Sequence, residues 1–102
     1  MAIYKVSRKA IRDLDEIWYF IARDNETAAT RQIDRVYLVF RTLATQPLMG
    51  RARPEIATRL RSFAVEELVI FYQPTDRGVR IVRVWDGRQN PARLVEAIRD
   101  AS

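Results

Sequence analysis

The chain has 102 residues, a formal net charge of +5, and neither cysteine nor histidine. The length predicts a single domain over residues 1–102 whose core needs no disulfides. The two missing residue types exclude thiolate chemistry, serine–histidine and cysteine–histidine catalysis and the usual zinc sites, so we expect no metal and no cofactor. We also expect a cytoplasmic protein with no membrane partner. No apolar run approaches the roughly 20 residues that span a bilayer, and the N-terminus lacks a signal-peptide core.

The positive charge is carried almost entirely by arginine, which supplies 16 of the 18 basic residues. The planar guanidinium recognises carboxylates and phosphates through paired hydrogen bonds. Arginines are concentrated in residues 51–61 and 77–88. A surface of this kind fits an acidic protein partner or a nucleic acid, or is simply solvated, and composition leaves all three interpretations open.

The N-terminal half predicts a short strand followed by an antiparallel helical hairpin. Residues 2–6 have strand propensity, and Ser7 is placed to cap a helix over residues 8–24. A second helix is predicted over residues 26–46, ended by Pro47. Both helices carry apolar residues at spacings of three and four. In the first helix these are Ile11, Leu14, Ile17, Trp18 and Ile21.

Residues 60–87 predict a three-stranded antiparallel meander, because short turns separate three runs rich in β-branched and aromatic residues. We expect one face of the meander to pack on the hairpin and the other to form a semi-apolar basic surface. The alternative is that these arginines only snorkel around the chain's own termini. By strict alternation, Val82 and Val84 share one face of the last strand. The other face of that strand carries Val79, Ile81, Arg83 and Trp85, and the first strand places Arg59, Arg61, Phe63 and Val65 opposite Leu60, Ser62 and Ala64.

The whole chain therefore predicts an α+β fold, in which the first strand joins the meander at an edge. Residues 47–58 form an irregular basic loop that is either functional or only a connector. Pro91 is placed to begin a short helix over residues 92–100, which either packs on the free face of the sheet or frays.

Two patterns are candidates for chemistry. The carboxylate pairs Asp13 with Glu16 and Glu66 with Glu67 could bind a divalent cation, although solvated surface charge is the more common role. Arginines interleaved with aromatic residues could bind single-stranded nucleic acid or clasp an acidic, partly apolar peptide. The residues themselves leave these two partners comparable.

Five segments, in this order, resemble the RelE/ParE superfamily of type II toxins, and ParE most closely. Each segment is weak alone, but their order and spacing are specific and span nearly the whole chain. They are YKVSRKAIRDLDEIWYFIA, ATRQIDRVYLVFRTLATQPLMGRARPEI, LRSF, VIFYQP and IVRVWDGR.

The resemblance implies a toxin that stops growth by binding DNA gyrase, with no catalytic residues. It also implies a cognate antitoxin whose acidic, partly disordered C-terminal segment folds on the toxin, and DNA contact only through that antitoxin. The antitoxin-binding candidates are Arg59, Arg61, Phe63, Tyr72, Arg83 and Trp85. Weaker candidates for contacting gyrase are Arg51, Arg53, Arg88 and Arg93.

The alternative is a RelE-like endoribonuclease that cuts mRNA on the ribosome. Those relatives use basic residues on the meander and a late tyrosine or histidine. Here Arg59 matches one basic position, but Val69 stands near the place of an expected arginine, and no tyrosine follows Tyr72. Arginine alone is a poor proton carrier, which favours the ParE-like function. A degenerate member that binds its antitoxin and poisons nothing is the third interpretation.

Overall fold

The computed structural model describes residues 1–89 and 91–101, and it has the α+β architecture that the sequence predicts. A helical hairpin covers one face of a five-stranded sheet, and a short helix covers part of the other. The elements are β1 (Ile3–Val6), α1 (Arg8–Ala22), α2 (Glu26–Thr45), β2 (Arg51–Ala52), β3 (Arg61–Val65), β4 (Leu68–Pro74), β5 (Gly78–Asp86) and α3 (Pro91–Ala101).

Side-chain caps set the start of both hairpin helices. The Ser7 hydroxyl accepts a hydrogen bond from the Ala10 amide at 3.0 Å, and the Asn25 side chain accepts one from the Ala28 amide at 3.0 Å. The Ser7 hydroxyl also donates to the Val82 carbonyl at 2.8 Å, which fixes the start of α1 against β5. The predicted cap therefore orients the helix as well as starting it.

The strands lie in the order β1-β5-β4-β3-β2. The meander is antiparallel as predicted, while β1 pairs with the first half of β5 in parallel. The two-residue strand β2 lies within the segment predicted as an irregular loop, and it pairs with Arg61 and Ser62 of β3. Because β1 is short, no strand in the described part of the chain pairs with residues 82–86 of β5 on that side.

A bulge in β5 corrects the predicted faces of this strand. Phe71 pairs with Arg83 but Tyr72 pairs with Ile81, so Val82 is an extra residue. An inserted residue reverses the alternation that follows it. Val84 consequently joins Ile81 in the core beneath the hairpin, while Val82 lies on the opposite face. The prediction that Val82 and Val84 share a face is wrong for this reason.

Two apolar clusters hold the layers together. The larger one lies between hairpin and sheet and includes Phe40, Leu43 and Ile70, all fully buried. The smaller one lies on the other face, where Ile98 of α3 packs with a set of sheet and loop residues. That set consists of Leu60, Phe71, Val82 and Trp85. Of the two alternatives for the C-terminal helix, packing on the sheet is the one observed.

Among the described residues, no helix combines the length and the apolar character needed to cross a membrane.

Candidate functional site

Tyr72, a predicted contact for the antitoxin, is instead an internal support of the fold. Its side chain is fully buried, and its hydroxyl donates to the Pro47 carbonyl and accepts from the Gly50 amide, both at 2.8 Å. Burial raises the pKa of this phenol, while the Gly50 hydrogen bond and Arg61 oppose the rise. Gly50 fits because a Cβ there would lie 2.4 Å from the Tyr72 hydroxyl oxygen. Tyr72 therefore anchors the loop after α2.

Arg61 and Phe63 lie on this same hairpin side of the sheet. Arg61 donates to the Gly50 carbonyl at 2.7 Å and to the Leu48 carbonyl at 3.3 Å. Phe63 is half-buried against the larger core. The arginine-bearing face of β3 is thus the one that packs on the hairpin, which reverses the expectation.

Arg83 is held in an ion pair that the sequence pattern does not predict. Its Nε and one terminal nitrogen donate to the two carboxylate oxygens of Asp13, each at 2.7 Å, and the Val84 amide donates to Asp13 Oδ2 at 3.0 Å. The hydrogen bond to Asp13 raises the pKa of Arg83 against the effect of its burial. The overlooked signal is that Asp13 stands beside Ala10 and Leu14 on the buried stripe of α1.

The last two predicted contacts, Trp85 and Arg59, lie in different environments. Trp85 is only 9% exposed beneath α3, with the Arg83 guanidinium 5.5 Å from its ring centroid. Arg59 is exposed at the opposite end of the sheet, where it donates to the Pro74 carbonyl at 3.0 Å. The expectation that the six residues line one open groove is wrong, because the fold distributes them over both faces and buries two.

The structure does contain a large open groove, with a volume of about 1680 Å³, and Arg83 and Trp85 are the two predicted antitoxin contacts that line it. It runs between the second half of α1, the start of α2, the ends of β4 and β5, and α3. Tyr19 and Phe20 line it and are 69% and 58% exposed. Both stand off the apolar stripe of α1, and bulky aromatic residues on a polar helix face are the signal that could have identified them.

The charges of this groove differ from the arginine-rich surface that we expected. Four arginines line it, namely Arg23, Arg83, Arg88 and Arg93. Seven carboxylates line it as well, namely Asp13, Glu16, Asp24, Glu66, Glu67, Asp86 and Glu96. The groove therefore suits an amphipathic segment with apolar anchors and charges of both signs better than a strongly acidic one.

An arginine–carboxylate turn forms one end of the groove. Arg88 donates to Asp86 through its Nε at 3.0 Å, a terminal nitrogen at 2.8 Å and its backbone amide at 2.9 Å. These hydrogen bonds hold the pKa of Asp86 below its ordinary value, against a smaller opposing effect of burial. Arg88 also pairs with Glu67 at 3.2 Å. The turn after β5 is thereby tied to the turn between β3 and β4.

Of the four weaker candidates for contacting gyrase, two have exposed side chains without an ion pair to a described residue, and two are held by hydrogen bonds. Arg51 and Arg93 are exposed and form no ion pair with a described residue. Arg53 donates to the Ser62 hydroxyl at 2.8 Å, and Arg88 is held as described. A smaller groove of about 190 Å³ lies between Arg53 and Leu94 of α3. The structure therefore brings the β2 region and α3 to one side of the molecule.

The described residues contain no group of three acidic side chains positioned to hold a metal ion. Of the carboxylates considered for such a site, Asp13 is committed to Arg83, and Glu66 forms an exposed pair with Arg35.

Comparisons with known proteins give a consistent result. A family model described as ParE toxin of type II toxin-antitoxin system, parDE, matches residues 4–91. Toxin ParE3 of Caulobacter vibrioides is 32% identical over 87 residues, which cover 84% of this chain and 87% of that protein. A chain of the solved structure titled Chromosomal ParDE TA system from P. aeruginosa superposes with a TM-score of 0.68 at 21% identity, covering 82% of this chain and 94% of that one.

Proposed function

Because the chain belongs to the ParE toxin family of type II toxin–antitoxin systems, as its sequence resemblance predicted, we propose that it inhibits DNA gyrase by binding and is neutralised by a cognate antitoxin. The family match over residues 4–91 carries this proposal. A relative of comparable length that is itself called a ParE toxin supports it further.

The chemistry of the sheet supports binding rather than bond cleavage. A ribonuclease needs a group that accepts and releases a proton near the substrate. Tyr72, the last tyrosine of the chain, is buried and hydrogen-bonded at both the donor and the acceptor side of its hydroxyl. Arg83 is locked to Asp13, and the sequence contains no histidine. These features favour a toxin that works through its surface.

The large groove is our proposed docking site for the antitoxin. The structural relative comes from a ParDE toxin–antitoxin system, which supports a cognate antitoxin as the partner of this chain. Tyr19 and Phe20 offer exposed aromatic surface of the type that dominates binding energy, and Arg23 and Arg93 lie beside them in the groove. Of the six antitoxin contacts predicted from sequence, Arg83 and Trp85 line this groove, whereas the exposed Arg59 lies outside it.

Gyrase would then bind a different surface of the toxin from the one that binds the antitoxin. We place Arg51, Arg53, Arg88 and Arg93 as its candidate contacts, since they flank the side of the molecule shared by β2 and α3. Arg88 and Arg93 belong to both surfaces, so a bound antitoxin would compete with gyrase at these two residues.

The deciding experiment adds the purified chain, free of antitoxin, to a gyrase supercoiling reaction and to a coupled translation reaction. We expect supercoiling to stop while translation continues, and equimolar antitoxin to restore supercoiling. Cleavage of mRNA with normal supercoiling would overturn the proposal in favour of a ribonuclease. Activity in neither reaction, together with unimpaired growth after induction, would identify a degenerate toxin that retains only its antitoxin binding.

A further inference from the structure

One end of the sheet carries a row of cationic side chains on the face that α3 leaves uncovered. Lys5 of β1 pairs in register with Arg80 of β5, and Arg80 pairs with Gln73 of β4. The neighbouring row holds Tyr4 and Val79, which pack beneath the hairpin. Since successive residues of a strand point to opposite faces, Lys5, Arg80 and Gln73 lie on the side away from the hairpin.

A fourth side chain reaches this row from the segment before β3. Arg59 donates to the Pro74 carbonyl at 3.0 Å, next to Gln73, and Gln73 in turn donates to the Thr58 carbonyl at 3.1 Å. Arg59 has a positive φ of 62°, a conformation that a non-glycine residue keeps only where the surroundings impose it. Lys5, Arg59, Gln73 and Arg80 form what we call the basic row.

The cations of this row lack the compensation found elsewhere in the molecule. Lys5, Arg59 and Arg80 form no ion pair with any described carboxylate, whereas Arg35, Arg53, Arg83 and Arg88 all do. Like charges on directly paired residues of adjacent strands repel each other. A bound anion would relieve this repulsion, so the free protein holds an arrangement that favours a negatively charged ligand.

The surroundings of the row indicate which anion fits. Apart from Met1, the large exposed apolar side chains of the described residues lie on the helices and in the loop after α2, so an acidic peptide would find no anchor beside the row. Single-stranded nucleic acid needs exposed aromatic platforms for its bases, but Tyr4 packs on the hairpin side, and Phe71, on the same face as the row, is only 2% exposed. A duplex phosphate backbone requires only fixed cations, and strands about 4.8 Å apart supply them rigidly.

We propose that the basic row binds the phosphate backbone of duplex DNA directly, without the antitoxin. The choice of DNA over duplex RNA rests on the proposed function, because gyrase acts on DNA. The row lies apart from the large groove, so DNA and antitoxin would occupy different surfaces of the toxin. A toxin bound to gyrase could in this way also contact the DNA that the enzyme holds.

The test measures binding of the free full chain to a fluorescent 20-base-pair DNA duplex of arbitrary sequence over a salt series. The row variant is Lys5→Gln, Arg59→Gln, Arg80→Gln. The control variant is Arg12→Gln, Arg31→Gln, Arg41→Gln, which removes the same charge from exposed helix positions that form no ion pair with a described residue. We expect the affinity of the row variant to fall on the order of tenfold at 50 mM salt, with a salt dependence flatter by about 0.9 for each phosphate that the protein no longer neutralises.

The control variant should keep its affinity within about twofold, since the basic row still neutralises the same phosphates. Equal reductions in both variants would show that only net charge matters and would overturn the proposal. The proposal would also be overturned if the row variant lost affinity only for a poly-glutamate peptide, or only for a duplex RNA of equal length, and not for the DNA duplex. Lys5→Gln alone, at an exposed position, provides a second measurement if the triple variant does not fold. The assay contains no gyrase. A negative result would therefore refute DNA binding by the basic row without testing the proposed inhibition of gyrase.

Discussion

Asp13 of α1 and Arg83 of β5 form a two-pronged ion pair across the half of β5 that β1 does not reach, with both N–O distances at 2.7 Å. Asp13 also accepts a hydrogen bond from the Val84 amide. One carboxylate therefore provides acceptors both for a guanidinium and for a backbone amide at the strand edge that β1 does not reach. Arg83 extends to the Ala97 carbonyl of α3 at 3.4 Å. This pair therefore connects three elements that are distant in sequence.

Removing either partner of this pair should destabilise the protein strongly. The side chains of Arg83 and Asp13 are only 15% and 11% exposed, so Asp13→Ala leaves a poorly hydrated guanidinium and an orphaned Val84 amide. We expect a decrease of about 3 kcal/mol or more in the free energy of unfolding, measured by urea denaturation. Arg35→Ala, which breaks the exposed pair with Glu66, is the matched control and should cost less than about 1 kcal/mol. Equal decreases would show that the Asp13 pair is not special.

Tyr72→Phe should loosen the loop between α2 and β2. The change removes the hydroxyl that serves both the Pro47 carbonyl and the Gly50 amide, and it leaves that amide without its partner. An unsatisfied buried amide costs about 1–3 kcal/mol, which we expect to see in urea denaturation. Tyr37→Phe, at a half-buried tyrosine of α2, should change stability by less than about 0.5 kcal/mol. Tyr72→Phe with wild-type stability would contradict the anchoring role.

The Asp86–Arg88 turn should respond to acid. Arg88 lowers the folded-state pKa of Asp86, so the turn adds stability above the ordinary carboxyl value of about 3.9. That stability disappears as pH falls from there through the lower folded pKa. An NMR titration of the Asp86 carboxyl should give a midpoint below the ordinary value. Arg88→Gln should raise this midpoint, whereas Arg93→Gln should leave it unchanged; an unshifted midpoint in the Arg88 variant would refute the assignment.

Tyr19→Ala and Phe20→Ala should weaken antitoxin binding without weakening the fold. Both rings are more than half exposed, so truncation leaves no cavity in the core. If the groove is the docking site, each change should reduce affinity for the cognate antitoxin about tenfold or more by calorimetry. Leu38→Ala, on the exposed side of α2 at 55% exposure, is the control and should bind normally. Unchanged affinity in both aromatic variants would place the antitoxin on another surface.

Local signals in the sequence were sufficient for most of the fold. Ser7 marks the start of the first hairpin helix and Pro47 the end of the second, because capping and the restriction before proline act within a few residues. The turns between the β-rich runs predicted the antiparallel meander, which the structure confirms. The sequence does not predict the two-residue strand β2, because only its pairing with β3 makes this segment a strand.

The candidate site is predicted less well, because it depends on which face of the sheet packs on the hairpin and, in β5, on one residue of register. The extra Val82 moves Val84 to the hairpin side, and no pattern of apolar residues announces such an insertion. Arg61, Phe63 and Tyr72 were assigned to an open face, yet they support the core and the loop after α2. Tyr19 and Phe20 were passed over because exposed aromatic residues on a helix become meaningful only beside a groove.

The sequence by itself determined the order of elements, their caps and turns, the excess of arginine and the membership in the ParE family, since each depends on composition or on near neighbours. The tertiary structure alone decided which arginines are paired and which are free. That distinction depends on contacts such as Asp13 with Arg83, 70 positions apart, and on a single bulge that sets which side of the sheet the residues of β5 from Arg83 onward face.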